Sequence, residues 1–134
     1  MKARPESLRV LVGDDHEDSA FSLALVLEAF GCEVRTAGDG QAALDAALAF
    51  RPDAIVLDIR LPKLDGYAIC RRIRAQTGWG RDVLMLALTG LGDADDKRKS
   101  REAGFDRHLV KPVRPERLLA VLADRRRDLR RRSA

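Results

Sequence analysis

Aromatic residues are scarce in this chain: one Trp, one Tyr and four Phe among 134 residues. None of them interleaves the arginines near the C-terminus, so the stacking platform of a single-strand nucleic-acid reader is missing there. Cysteine is equally rare. Cys32 and Cys70 have no spacing that suits a metal site, and they read as reduced, buried small hydrophobes of an intracellular protein. Long hydrophobic runs are absent as well. After MKARPES only LRVLV precedes Gly13 and two acids, which is too short for a signal-peptide core or a membrane span, so cytoplasm is the default.

A net charge of one sign is also nearly lacking. The formal charge is +4, yet the stretch from Asp124 to Ala134 alone holds six Arg and two Asp, and the remainder balances 19 basic against 19 acidic residues. The length fits one domain with a single core. Residues 1–6 read as a flexible N-terminus, 7–123 as the domain, and 124–134 as an Arg-rich helix extension or tail. No internal repeat or low-complexity block competes with this division.

What is present is alternation of short apolar runs with helical patterns. Leu8 to Val12 has strand length. Ala20, Leu23, Ala24, Leu27 and Phe30 then recur at helical spacing until Gly31. Glu33 to Ala37 alternates like an edge strand, and Gln41 to Phe50 is a helix with Ala43, Leu44, Ala47 and Leu48 facing inward. The stretch from Pro52 to Gly66 contains Ala54, Ile55, Val56 and Leu57, a strand buried on both faces. Asp65 and Gly66 open a third helix with Ile69, Cys70 and Ile73 on one face and Arg71, Arg72 and Arg74 largely on the other. Trp79 is expected to anchor a loop around Gly78 and Gly80. Val83 to Leu88 is a fourth strand, Asp93 to Ala103 a charged and thinly packed helix, and Phe105 to Val110 a fifth strand. Pro115 starts a last helix that buries Leu118, Leu119, Val121 and Leu122. Five strands alternating with five helices imply an α/β fold with a doubly wound parallel sheet.

Polar residues of interest fall where strands stop: Asp14 and Asp15 after the first, Asp58 after the third, Thr89 after the fourth, Lys111 after the fifth. In a parallel sheet these ends share one edge, the edge where ligands bind. Asp58 alone also suits a strand-end carboxylate that caps a loop. An oxygen-rich set without His or Cys selects a hard cation, and magnesium fits best. Successive strand residues point opposite ways, so one of Asp14 and Asp15 is expected to touch the ion directly. A cation and an ammonium that gather negative charge suit a phosphoryl group, which Asp58 would receive as an acyl phosphate.

In the order LVGDD, VLDIRLPKLDGYAICRRIR, ALTG and AGFDRHLVKP, the chain resembles the receiver domain of two-component response regulators over about residues 7 to 123. The resemblance implies a flavodoxin-like strand order 2-1-3-4-5. It implies Asp58 as phosphoacceptor, with Mg2+ held by Asp15, Asp58 and the Arg60 backbone carbonyl, and by Asp14 through water. Thr89, Gly90 and Lys111 would bind the phosphoryl group, with Thr89 as switch hydroxyl, and the bond between Lys111 and Pro112 would be cis. A histidine kinase or a histidine phosphotransfer protein would be the donor. The downstream effector protein would read the 93–123 face, with homodimerisation left open and neither specific nucleic-acid binding nor a membrane span implied. The chain would perform no chemistry beyond its own magnesium-dependent phosphorylation and dephosphorylation.

The sequence departs from the pattern at several points. His108 stands where the family has a Tyr or Phe that moves on phosphorylation. Gly13 replaces a larger apolar residue and suits a close backbone approach. Arg114 occupies a frequent capping position. Arg60 and Leu91 flank the site, and Glu17 is placed to pair with Arg60. A stand-alone regulator and a piece of a hybrid sensor kinase fit equally. Two rival readings are a receiver-like adaptor that takes no phosphate and an aspartyl-nucleophile phosphatase. Against the latter, Arg60 occupies the place of the second Asp that such enzymes use as general acid. Removal of Ala123 onward is expected to leave phosphorylation intact.

Overall fold

Alternate residues of the inner strands feed two separate cores. Leu11, Ile55 and Leu57 pack on one side of the sheet with Ala43, Ala47, Ile69 and Ile73, whereas Val10, Val12, Ala54 and Val56 pack on the other with Leu27, Leu118 and Leu122. Both faces of each inner strand are therefore apolar, as a parallel sheet covered by helices requires.

The computed structural model describes residues 7–76, 78–90 and 94–133. The order is β1 (Arg9–Gly13), α1 (Glu17–Ala29), β2 (Glu33–Ala37), α2 (Gly40–Phe50), β3 (Ala54–Asp58), α3 (Gly66–Arg74), α4 (Trp79–Asp82), β4 (Leu84–Thr89), α5 (Ala94–Ala103), β5 (Arg107–Val110) and α6 (Pro115–Ser133). All strand pairs are parallel, in the order β2-β1-β3-β4-β5. This is the flavodoxin-like doubly wound sheet that the resemblance implies. There are six helical segments among the described residues where the sequence pattern suggests five. The additional one is α4, a single turn in the segment expected to be a loop. Trp79 fixes it: the indole N–H donates to the Pro52 carbonyl at 2.7 Å, and the Val83 amide donates to the Trp79 carbonyl at 2.9 Å.

Local signals set the helix starts. Asp39 accepts from the Ala42 amide at 2.8 Å and Asp65 from the Ala68 amide at 2.9 Å, each satisfying an orphan donor. The bond from Ala42 holds the Asp39 carboxyl below its ordinary range. At Gly40 a side chain is excluded, since a Cβ there would lie 1.7 Å from the Leu64 carbonyl oxygen. Gly13 is tight for a different reason than expected: a Cβ would meet the Leu57 side chain at 2.6 Å, so packed side chains close on it rather than backbone.

Three apolar side chains expected to face inward do not do so fully. Leu48 is exposed, and Leu119 and Val121 are only half-buried, because α2 and α6 each cover the sheet with a narrow stripe. Arg74, placed with the polar face of α3, folds back. Its guanidinium donates to the carbonyls of Val83 (2.7 Å), Gly104 (2.9 Å), Arg81 (3.1 Å) and Gly80 (3.2 Å), and to Asp106 at 2.8 Å. Asp106 also accepts the Met85 amide at 2.8 Å, so one ion pair joins α3, α4, β4 and the approach to β5.

The arginines of α6 are similarly engaged. Arg125 donates to the carbonyls of Asp82 (2.8 Å) and Asp53 (3.3 Å). Arg126 stacks over the Phe30 ring at 4.5 Å and donates to its carbonyl at 3.3 Å, and Leu129 packs against the core.

Candidate functional site

Four loops at the carboxyl edge of the sheet deliver the polar residues. β1 ends just before Asp14 and Asp15, Asp58 closes β3, Thr89 closes β4, and Lys111 follows β5. Lys111 is tied to its neighbour by a 2.7 Å bond from its amide to the Thr89 carbonyl, and the Lys111–Pro112 peptide bond is cis. A cavity of about 370 Å³ lies between these loops, lined by Asp15, Asp58, Arg60, Thr89, Gly90 and Lys111, with His16 and Ile59 completing the wall.

Asp58 is 4% exposed and engaged on both oxygens. Oδ1 accepts the Arg60 amide at 3.0 Å, and Oδ2 is ion-paired with the Lys111 ammonium. A buried carboxylate without such partners would carry a large desolvation cost. Thr89 is 3% exposed, and its Oγ1 lies 2.8 Å from His108 Nε2. The hydroxyl belongs to the cavity while the imidazole lines two neighbouring grooves at α5, β5 and α6.

The structure thus brings Asp15, Asp58, Arg60, Thr89, Gly90 and Lys111 around one cavity. Asp14 is buried beside it and lines the two grooves that flank α1. Glu17 and Arg60 form no ion pair with each other among the described residues, and Glu17 lines the far groove. Leu91 and the expected helix start at Asp93 lie outside the described residues.

One site residue escapes the strand-end rule. His16 Nδ1 lies 3.3 Å from Asp15 Oδ1 and 3.4 Å from Asp14 Oδ1, and the His16 amide donates to Asp14 Oδ1 at 3.0 Å. The donor set is therefore not free of imidazole. Its one sequence signal is position, directly after the acidic pair at the start of α1. Asp14, Asp15 and His16 each offer a ligand atom within 4.8 Å of the others, so the donors suit a divalent cation.

A parallel sheet of order β2-β1-β3-β4-β5 with acids, a hydroxyl and an ammonium at its carboxyl edge places the domain in the flavodoxin-like class. The chain belongs to the response regulator receiver domain family, which it matches over residues 10–123. It is 44% identical over 126 residues to the transcriptional regulatory protein PrrA of Mycobacterium tuberculosis, covering 94% of this chain and 51% of PrrA. The chain thus spans about half the length of such curated relatives. A putative response regulator from Chloroflexus aurantiacus superposes with a TM-score of 0.83 at 35% identity, covering 90% of this chain and 98% of that one. The receiver domain of a sensor histidine kinase from Pseudomonas aeruginosa, solved with a magnesium ion coordinated in its active site cleft, gives 0.81 at 33% identity, with 90% and 98% covered.

Proposed function

We propose that this receiver domain takes a phosphoryl group from a phosphohistidine onto Asp58 and thereby alters a protein-binding surface. The observation that carries the reading is the convergence of Asp15, Asp58, Thr89 and Lys111 on one cavity from four separate strand ends. Mg2+ would be held by Asp15, Asp58 and the Arg60 carbonyl, with Asp14 acting through water, and it would offset the negative charge that the transferred group brings. Asp58 supplies the attacking carboxylate oxygen. Bond formation to phosphorus breaks the bond to the donor's imidazole nitrogen, and the leaving group departs with that electron pair. Lys111, already paired with Asp58, would shift to an equatorial phosphoryl oxygen, and the Thr89 hydroxyl and the Gly90 backbone would bind the others.

The donor is a histidine kinase or histidine phosphotransfer protein. A groove of about 500 Å³ between α1 and residues 111–115, with Leu23, Val26 and Pro112 among its lining, supports docking beside the site. The effector would read the 93–123 face, where His108 connects the Thr89 hydroxyl to the groove at β5 and α6. No helix among the described residues is long and apolar enough to cross a membrane; we place the protein in the cytoplasm with its donor. Residues 7–123 form the receiver, and 124–133 continue its last helix as an extension.

Intact mass after incubation with magnesium and a small phosphodonor tests this reading. The expected gain is one phosphoryl group, abolished by chelation and by Asp58→Asn. Absence of any uptake would favour a phosphate-free adaptor, and turnover of an unrelated phosphate ester would favour a phosphatase.

A further inference from the structure

Asp14 and Asp15 are adjacent carboxylates, and Asp14 is only 7% exposed. Neither pairs with a Lys or Arg among the described residues. Asp58 differs, since the Lys111 ammonium already offsets its charge. A buried carboxylate beside a second one is costly unless a cation joins them. Glu17 and Asp18, in the first turn of α1, add negative charge and offset the positive helix end. The side-chain nitrogen that approaches both carboxylates is His16 Nδ1, 3.3 Å from Asp15 Oδ1 and 3.4 Å from Asp14 Oδ1. Its ring is reachable from solvent, at 71% side-chain exposure, and lines the cavity beside Asp15.

These two separations discriminate between ions. Ligands at about 2.0–2.1 Å from a tetrahedral zinc ion stand about 3.3–3.4 Å apart. Neighbouring ligands of an octahedral magnesium ion at the same bond length stand about 2.8–3.0 Å apart. The spacing around His16 Nδ1 matches the former. Ligand type agrees with it, because imidazole suits zinc and its transition-metal neighbours whereas magnesium takes oxygen.

We propose that Asp14, Asp15 and His16 form a transition-metal site of the zinc type, with His16 Nδ1 and one oxygen of each carboxylate as protein ligands and water in the fourth position. The site shares Asp15 with the magnesium ion proposed above, so either ion excludes the other. His16 thereby sets which metal the acidic pair takes, since the nitrogen ligand raises affinity for zinc and adds nothing that magnesium prefers. The inference rests on the phosphoryl-transfer reading for the placement of magnesium alone; the zinc site uses no atom of Asp58.

Calorimetric titration of the full chain with zinc and with magnesium measures the preference. Zinc is expected to bind one to one and about tenfold or more tighter than magnesium. His16 precedes α1 without a side-chain capping bond, so His16→Ser keeps the fold. It shrinks the ratio of zinc to magnesium affinity about tenfold or more, whereas Asp58→Asn retains zinc. Cobalt(II) in place of zinc gives the intense visible absorption of a tetrahedral site, and His16→Ser abolishes it. The chain has two histidines, His16 and His108, and zinc is expected to shift the imidazole nitrogen resonances of His16 alone. An unchanged ratio in His16→Ser, an octahedral cobalt spectrum, zinc held through His108, or loss of zinc in Asp58→Asn overturns the proposal. Tight zinc binding by a chain that takes up no phosphoryl group would support this site while contradicting the role of Asp58.

Discussion

Thr89 and His108 share a hydrogen bond across neighbouring strands, Oγ1 to Nε2 at 2.8 Å. The register sets Thr89 opposite Val110, so the imidazole reaches the hydroxyl diagonally from two residues before its direct partner. In the structure described, the hydroxyl that would meet a phosphoryl oxygen is already occupied. Replacing His108 with Phe removes this competitor. With a net hydrogen bond worth about 1 kcal/mol, affinity for a phosphoryl mimic such as beryllofluoride should rise about fivefold. Titration followed by Trp79 fluorescence or calorimetry measures it; unchanged or weaker binding means the contact does not restrain Thr89.

Arg74 is a second test of the structure. Five donations from one guanidinium satisfy four carbonyls and Asp106, so Arg74→Ala leaves several half-buried acceptors bare. The expected loss is about 3 kcal/mol or more in urea unfolding. Arg74→Lys should recover only a minor part, because an ammonium lacks the planar fork.

Deletion of residues 124–134 removes the Arg125 and Arg126 contacts and the packing of Leu129. Stability should fall by about 2–4 kcal/mol. Phosphorylation of Asp58 should persist below the lowered melting temperature, which separates a structural role of the extension from a role in the chemistry. Loss of labelling in a still-folded truncation contradicts this.

Burial pushes the Cys70 thiol up to about 12, so its thiolate is scarce at neutral pH. Burial raises the Cys32 thiol as well, with nearby Arg126 acting against it. Iodoacetamide should label neither site in the folded protein and both in denaturant. A raised folded value also means that the folded state holds this proton where the unfolded chain releases it. The Cys70 contribution is intact below about 9 and declines as pH rises towards about 12. Cys70→Ala should flatten that decline.

The strand ends were legible because a buried apolar run closed by a polar residue fixes both the strand and its edge. Asp58, Thr89 and Lys111 were found that way, and the convergence followed from parallel pairing alone. Arg74, Arg125 and Arg126 were not legible, since helical periodicity assigns long cations to solvent and says nothing of carbonyls within reach of a guanidinium. Leu48 is illegible for the complementary reason: helical spacing alone does not separate an inward apolar residue from an exposed one, and here Ala47 and Phe50 are buried while Leu48 is not. His16 lay in a loop, where no period marks which side chains turn toward the site.

The most direct measurement is the position of the acyl phosphate. Phosphorylated protein is reduced with borohydride, which converts an aspartyl phosphate to homoserine, and the digest is sequenced by mass spectrometry. Homoserine at position 58, and at no other aspartate, is the predicted result. Homoserine at Asp15 or Asp14 with residue 58 unaltered, or labelling that survives Asp58→Asn, would contradict the account.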